Sequence, residues 1–251
     1  MKAITLKPVH LRKLAAISEV KGKALFSKNF IIMPVFSIGF TFLMDLIYGN
    51  VIGNAFNKVP MSAYALAIGT LMNISMMGIY VAAAALAEEK EKNTLRTLMT
   101  SSVNGLEFFL GSLIPVVLMT VLVNVICVFI VRLPMTPAQW GSYLAVTTVS
   151  AIIATVVGML FGIFAKNQVS ASTITTPGIL ILMMIPMFSG LNETLEKISG
   201  FFFTGITFDL VANIKNGSAL IDARGILVLT AELILSIVLF LFLYRKNGFE
   251  R

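Results

Sequence analysis

Long apolar runs alternate with short polar ones along almost the whole chain. Six of these runs reach about 20 residues, the length a helix needs to cross the hydrocarbon of a bilayer. They predict spans at residues 29–48, 61–86, 111–131, 141–165, 169–189 and 225–244. Pro34, Pro115, Pro177 and Pro186 fall inside or near span ends. Neighbouring helices can re-satisfy the carbonyls that such prolines free.

Three stretches break this rhythm. Residues 1–28 are basic and amphipathic: Leu11, Leu14, Ile17, Val20 and Ala24 form one apolar stripe, with Arg12, Lys13, Lys21 and Lys23 on the other faces. The pattern predicts a helix in the headgroup plane, apolar side down, with His10 as an exposed interfacial residue. A cleavable secretory signal fits poorly, because the basic part is long and no small-residue cleavage site follows.

The second is residues 87–111, the most charged run between two spans. Leu95, Leu98 and Met99 are spaced to share one helical face. Glu88, Glu89 and Glu91 are expected just before or in the first turn of that helix, where negative charge suits the dipole. Asn104 and Glu107 have capping-box spacing, so a second helix is predicted to start there. The third is residues 190–224, too apolar for a plain loop. Phe201, Phe202, Phe203, Ile206 and Phe208 predict two short helices dipping into the leaflet, broken near Gly200 or Gly205.

Composition removes the soluble classes. The chain has 251 residues, 57% hydrophobic and only 12% charged, which is a membrane composition. Its net charge of +7 does not imply nucleic acid, because the basic residues gather at membrane edges. Only Lys58, Arg132, Lys197, Lys215 and Arg224, of 19 basic residues, fall on one side of the six spans. The positive-inside rule then puts both termini and the 87–111 loop in the cytoplasm. The expected location is a cell membrane, crossed several times, of the bacterial plasma-membrane kind.

Candidate chemistry is sparse. The single Cys127 lies in an apolar run and predicts a buried, inert thiol. Gly22-Lys23 is followed by Ala24 and lacks the upstream glycine, so the chain has no phosphate-cradling loop of its own. One histidine cannot supply a multi-histidine metal site. Glu232, about two turns into the last span, is costly there when charged and must face a partner or a cavity, or be protonated. With Phe201, Phe202 and Phe203 it is a candidate for the substrate path or its gate. Asn73 and Asn124 are expected to bridge helices. Gly158 and Gly162, and Ala82 to Ala85, allow close helix approach, either within the chain or at a dimer seam.

The run Glu88-Glu89-Lys90-Glu91-Lys92-Asn93-Thr94-Leu95 through Leu98, then Ser101-Ser102-Val103, Glu107 and Leu110-Gly111, resembles the type-2 permeases of ATP-binding-cassette exporters. The layout is similar over nearly the whole chain. The motif departs at Asn93 for Gly, Ser102 for Pro and Ser112 for Lys. The resemblance implies an all-α integral membrane fold: six transmembrane helices, an N-terminal interface helix, a cytoplasmic coupling helix and a re-entrant extracellular hairpin before the last span. Its domains are residues 1–28 and a permease domain over 29–251.

It also implies roles. Glu88, Glu89, Glu91, Thr94, Leu95, Leu98 and Met99 would couple to a separate cytoplasmic ATPase, with Leu11, Leu14, Ile17 and Val20 on the interface helix beside it. ATP and Mg would be held by that ATPase, with no cofactor or metal in this chain. Other partners would be membrane lipid and a second permease, identical or a close paralogue, and no nucleic acid. The function expected is a transporter subunit, not an enzyme, exporting an amphipathic or hydrophobic cargo such as a peptide toxin or bacteriocin. An ion-coupled secondary transporter would want paired acids in matching halves, and only Glu232 is well placed. An intramembrane hydrolase would want a Glu-Glu-x-x-x-Arg start, but Asn93 stands at the position of that Arg.

Overall fold

The structure is a computed structural model that describes residues 10–48, 62–92, 105–214 and 221–246. Among these residues there is no strand. The helices are α1 (Leu11–Leu25), α2 (Lys28–Leu46), α3 (Ser62–Glu91), α4 (Gly105–Val131), α5 (Pro137–Phe164), α6 (Gln168–Met187), α7 (Glu193–Ser199), α8 (Phe203–Ala212) and α9 (Ala223–Lys246). Six of them, α2 to α6 and α9, are long and apolar enough to cross a bilayer. The chain is an all-α integral membrane protein with six candidate spans, in the order its apolar runs predict.

The spans are not equivalent. The most apolar stretch of α3 is 83% buried, against 22% for each of α2, α6 and α9. α3 is therefore the axis around which the others pack, and the three least covered helices present residues such as Phe36, Ile181 and Phe242 outward. That surface suits hydrocarbon, which solvates apolar side chains as well as a protein interior does.

α3 gains its close neighbours by lacking side chains where they approach. Its middle, Ile74–Val81, winds as a π-helix. A Cβ on Gly78 would stand 2.5 Å from the Ala154 Cβ of α5. From the other side, a Cβ on Gly158 would lie 2.6 Å from the Gly78 carbonyl oxygen, and one on Gly162 3.0 Å from that of Ala83. The Gly158/Gly162 pair and the alanines of α3 thus serve packing within the chain.

Buried polar groups cross-link the same helices. Asn73 Nδ2 donates to Asn124 Oδ1 at 2.8 Å and to the Thr120 carbonyl at 2.9 Å. The Tyr143 hydroxyl reaches the Asn124 carbonyl at 3.1 Å and Thr70 Oγ1 at 3.0 Å. In an apolar interior such groups are costly unless bonded, so this chain of contacts fixes the register of α3, α4 and α5. Cys127 is buried and lies 3.3 Å from Thr41 Oγ1.

Helix ends follow local chemistry. Arg132 takes a left-handed backbone, φ 52°, directly after the last residue of α4, the position where chains reverse out of a helix. Thr136 and Gln139 then form a reciprocal capping box at α5, with Pro137 at its first turn. Asn167 caps α6 by accepting the Ser170 amide at 2.8 Å.

The segment before α9 is two short helices, as its aromatic content predicts. They break at Gly200–Phe202 rather than at Gly205, which is inside α8. Gly205 has a different use: a Cβ there would collide with the Ser199 carbonyl oxygen, so its hydrogen lets α8 fold tightly against the end of α7.

Candidate functional site

Two clusters gather the residues with functional chemistry, one at each end of α3 and its neighbours. The first joins α1, the end of α3 and the start of α4. Ile17 of α1 sits directly over Gly111, where a Cβ would come within 2.5 Å of its Cγ2. At the first turn of α1, His10 donates its backbone N–H to Glu107 Oε1 at 2.8 Å, and its Nδ1 lies 3.1 Å from the same oxygen. The Glu107 side chain is only 1% exposed. His10 is therefore exposed, as expected, but is held by α4 rather than free at the interface.

Lys21 departs from its expected place on a polar face. Its side chain is 13% exposed, ion-paired with Glu89 and 4.7 Å above the Phe108 ring. Burial pulls its ammonium down from 10.5 to about 7, while the nearby Glu88 carboxylate opposes the fall. The apolar stripe of α1 is split: Ile17 is buried and Leu14 half-buried, whereas Leu11, Val20 and Ala24 are exposed, and Leu25, off the stripe, is buried.

α3 continues past residue 86 to Glu91, so Glu88, Glu89 and Glu91 lie in its last turns, and the helix expected after them falls outside the described residues. Negative charge at a helix C-terminus opposes the dipole, and cations answer it. Lys92 pairs with Glu88, which holds the Lys92 ammonium above its ordinary value, and Lys21 pairs with Glu89. Glu88 also accepts from Gln168 Nε2 of α6 at 2.8 Å.

Lys90 reaches the other way. Its Nζ donates to the carbonyls of Ile163 at 2.6 Å, Ala165 at 2.7 Å and Gly162 at 3.1 Å. These lie at the C-terminal end of α5, where carbonyls lack helical partners. The last two turns of α3 thus bind α1, α5 and α6 together by charge. Thr94, Leu95, Leu98 and Met99 lie outside the described residues, as does Asn104. α4 starts at Gly105, where a helix is predicted, with Glu107 in its first turn.

The second cluster is at the break between α7 and α8. Glu232 Oε2 of α9 accepts the Phe203 amide at 2.6 Å. Phe203 is the first residue of α8, and the preceding Phe202 supplies no side-chain cap. The three phenylalanines do not form one surface: Phe201 is 63% exposed beneath the Arg224 guanidinium, 5.0 Å from its ring, Phe202 is half-buried and Phe203 is buried.

A family model described as ABC-2 family transporter protein matches residues 2–243, which includes both clusters, the first five spans and nearly all of the sixth. The chain belongs to the ABC-2 transporter family. No curated protein matches it by sequence. As an ABC-2 transporter membrane subunit it is a multi-pass permease, a class that works with an ABC ATPase. Among the described residues no group of three or more His, Cys, Asp or Glu side chains could hold a metal ion. The contacts of Lys21, Lys90 and Gln168 in this permease were not read from the sequence. The available signal was a lysine in the last turn of a helix, which favours bonding to helix-end carbonyls, but its target on α5 is distant in sequence.

Proposed function

We propose that this permease is one half of the membrane pore of an ATP-driven exporter, and that residues 87–111 receive the force. The observation that carries this reading is the clamping of the end of α3 to α1, α5 and α6. A push delivered between Glu91 and Gly105 would reach four helices as a unit, because ion pairs and carbonyl contacts join them. A separate cytoplasmic ATPase, holding ATP and Mg, would seat Leu95, Leu98 and Met99 and the outward edge of α1. Closure of such ATPases is a rigid-body switch of the kind that rearranges packed helices. A second permease chain, identical or closely related, would complete the pore, and the exposed faces of α2, α6 and α9 offer room for it and for lipid.

The cargo reading is an amphipathic or hydrophobic molecule, a peptide toxin or bacteriocin by preference, leaving through the outer side near α7 and α8. The apolar composition of the spans supports it over a sugar or an ion. The distribution of Lys and Arg supports cytoplasmic termini, and a cell membrane is the location that goes with an exporter. The test is ATPase turnover of the assembled complex with Leu95→Asp and Leu98→Asp. Loss of cargo-stimulated turnover with the complex retained supports the coupling role. Unchanged turnover with an intact complex counts against it.

A further inference from the structure

The charged cluster at the end of α3 has an apolar chamber behind it. A cavity of about 320 Å³ opens between α1, the beginning of α2, the end of α3, the start of α4 and α5. Leu25, Phe30, Leu86 and Val116 are among its apolar walls, and Lys21, Glu88, Glu89 and Lys92 are its charged ones. The volume is at the lower end of the range for small-molecule sites. Its chemistry is divided as an amphiphile is divided, with hydrocarbon on one part and ions on the other.

The charged residues narrow the occupant further. Two lysines and two glutamates give a mouth of both signs. The inner pair, Lys21 and Glu89, is mostly covered, at 13% and 16% side-chain exposure. Lys92 is 64% exposed beside Glu88, so it stays accessible from outside. A head carrying a phosphate and an ammonium can meet Lys92 with the first and Glu88 with the second. An anionic head without the ammonium would draw Lys92 away from Glu88 and leave that carboxylate only the Gln168 amide, and like charges set against each other cost affinity.

The position agrees with a lipid source. The cavity lies where α1 leads into the first span, where α3 ends and where α4 begins, which is one edge of the six-span bundle. We propose that this chamber holds one acyl chain of a zwitterionic phospholipid, with its phosphate and amine bridging the Lys92–Glu88 pair. The lipid would wedge α1 against the ends of α3 and α4. This site is separate from the cargo path and does not depend on the ATPase reading.

The test uses the full chain in nanodiscs of equal phosphatidylethanolamine and phosphatidylglycerol, released for native mass spectrometry without any ATPase. One retained phosphatidylethanolamine per chain, favoured roughly tenfold over phosphatidylglycerol, supports the site. Ala24 is exposed yet lines the cavity, so Ala24→Phe should fill the chamber and lower retention by a similar factor. Ala85→Leu fills it from α3 and should do the same, which guards against a folding defect in one variant. Equal retention of the two lipids, or retention unchanged in both filled variants, overturns the proposal. So does displacement of the lipid by an added amphipathic peptide at equal stoichiometry, which would make the chamber a cargo site. Because no ATPase is present, these outcomes leave the coupling reading untouched, and failure of coupling leaves the lipid result untouched.

Discussion

The Glu232 carboxylate of α9 and the Phe203 amide of α8 meet at 2.6 Å. An acid placed two turns inside the last span thereby caps a helix it does not belong to. The contact satisfies one orphan N–H at the start of α8. Glu232→Ala should destabilise the α8–α9 contact by about 1–3 kcal/mol, the usual cost of leaving a buried donor unmet. Glu232→Gln keeps an acceptor and should lose less. Hydrogen exchange at residues 203–207 measures this directly, and equal protection in wild type and Glu232→Ala would show that the cap does not hold α8.

Lys90 should behave as a clasp rather than a surface charge. Lys90→Met removes the donor shared by the Gly162, Ile163 and Ala165 carbonyls. The expected loss is roughly 1–2 kcal/mol, of the size known for cations at helix C-termini. Lys90→Arg should recover part of it. Thermal unfolding in one detergent compares the three chains, and a Met variant as stable as wild type would sink the clasp.

Glycine positions give a graded test of packing. Gly158→Ala puts a methyl against two α3 carbonyl oxygens and should cost about 1–3 kcal/mol through overpacking. A Cβ on Gly141, also in α5, meets nothing within 4 Å. Gly141→Ala should be neutral or stabilising by up to roughly 1 kcal/mol from helix propensity. Similar melting shifts for the two would contradict close packing of α3 and α5.

The docking of α1 should strengthen as pH rises above neutrality. Lys21 titrates at about 7 when docked and near 10.5 otherwise. Between these values the undocked amine binds more protons, so linkage makes the docked state gain stability with pH over that window. Below about pH 7 the lysine is protonated in both states and the slope vanishes. Lys21→Met should flatten the dependence between pH 7 and 10, read from the melting temperature or from proteolysis near residue 26. A slope that survives this substitution would belong to another group.

Much of this architecture was legible in the linear chain, because a bilayer turns composition into geometry. A helix must satisfy its own backbone in hydrocarbon, so the length and polarity of each apolar run fix where the spans lie. The start of α4 and the two short helices before α9 carried local signals too, since turn, cap and periodicity involve residues only a few places apart. The same locality limits what the acidic run reveals. Glu88 to Glu91 suit the start of a helix by sequence rules, and Lys21 and Gln168, both remote in sequence, together with Lys92 make them acceptable at the end of one. Likewise the sequence showed that Glu232 needs a partner and that Gly158 permits a close approach, without naming the Phe203 amide or the Gly78 carbonyl. Those choices belong to the tertiary structure, because a hydrogen bond or a backbone contact between helices depends on their relative rotation and height, which no single helix encodes.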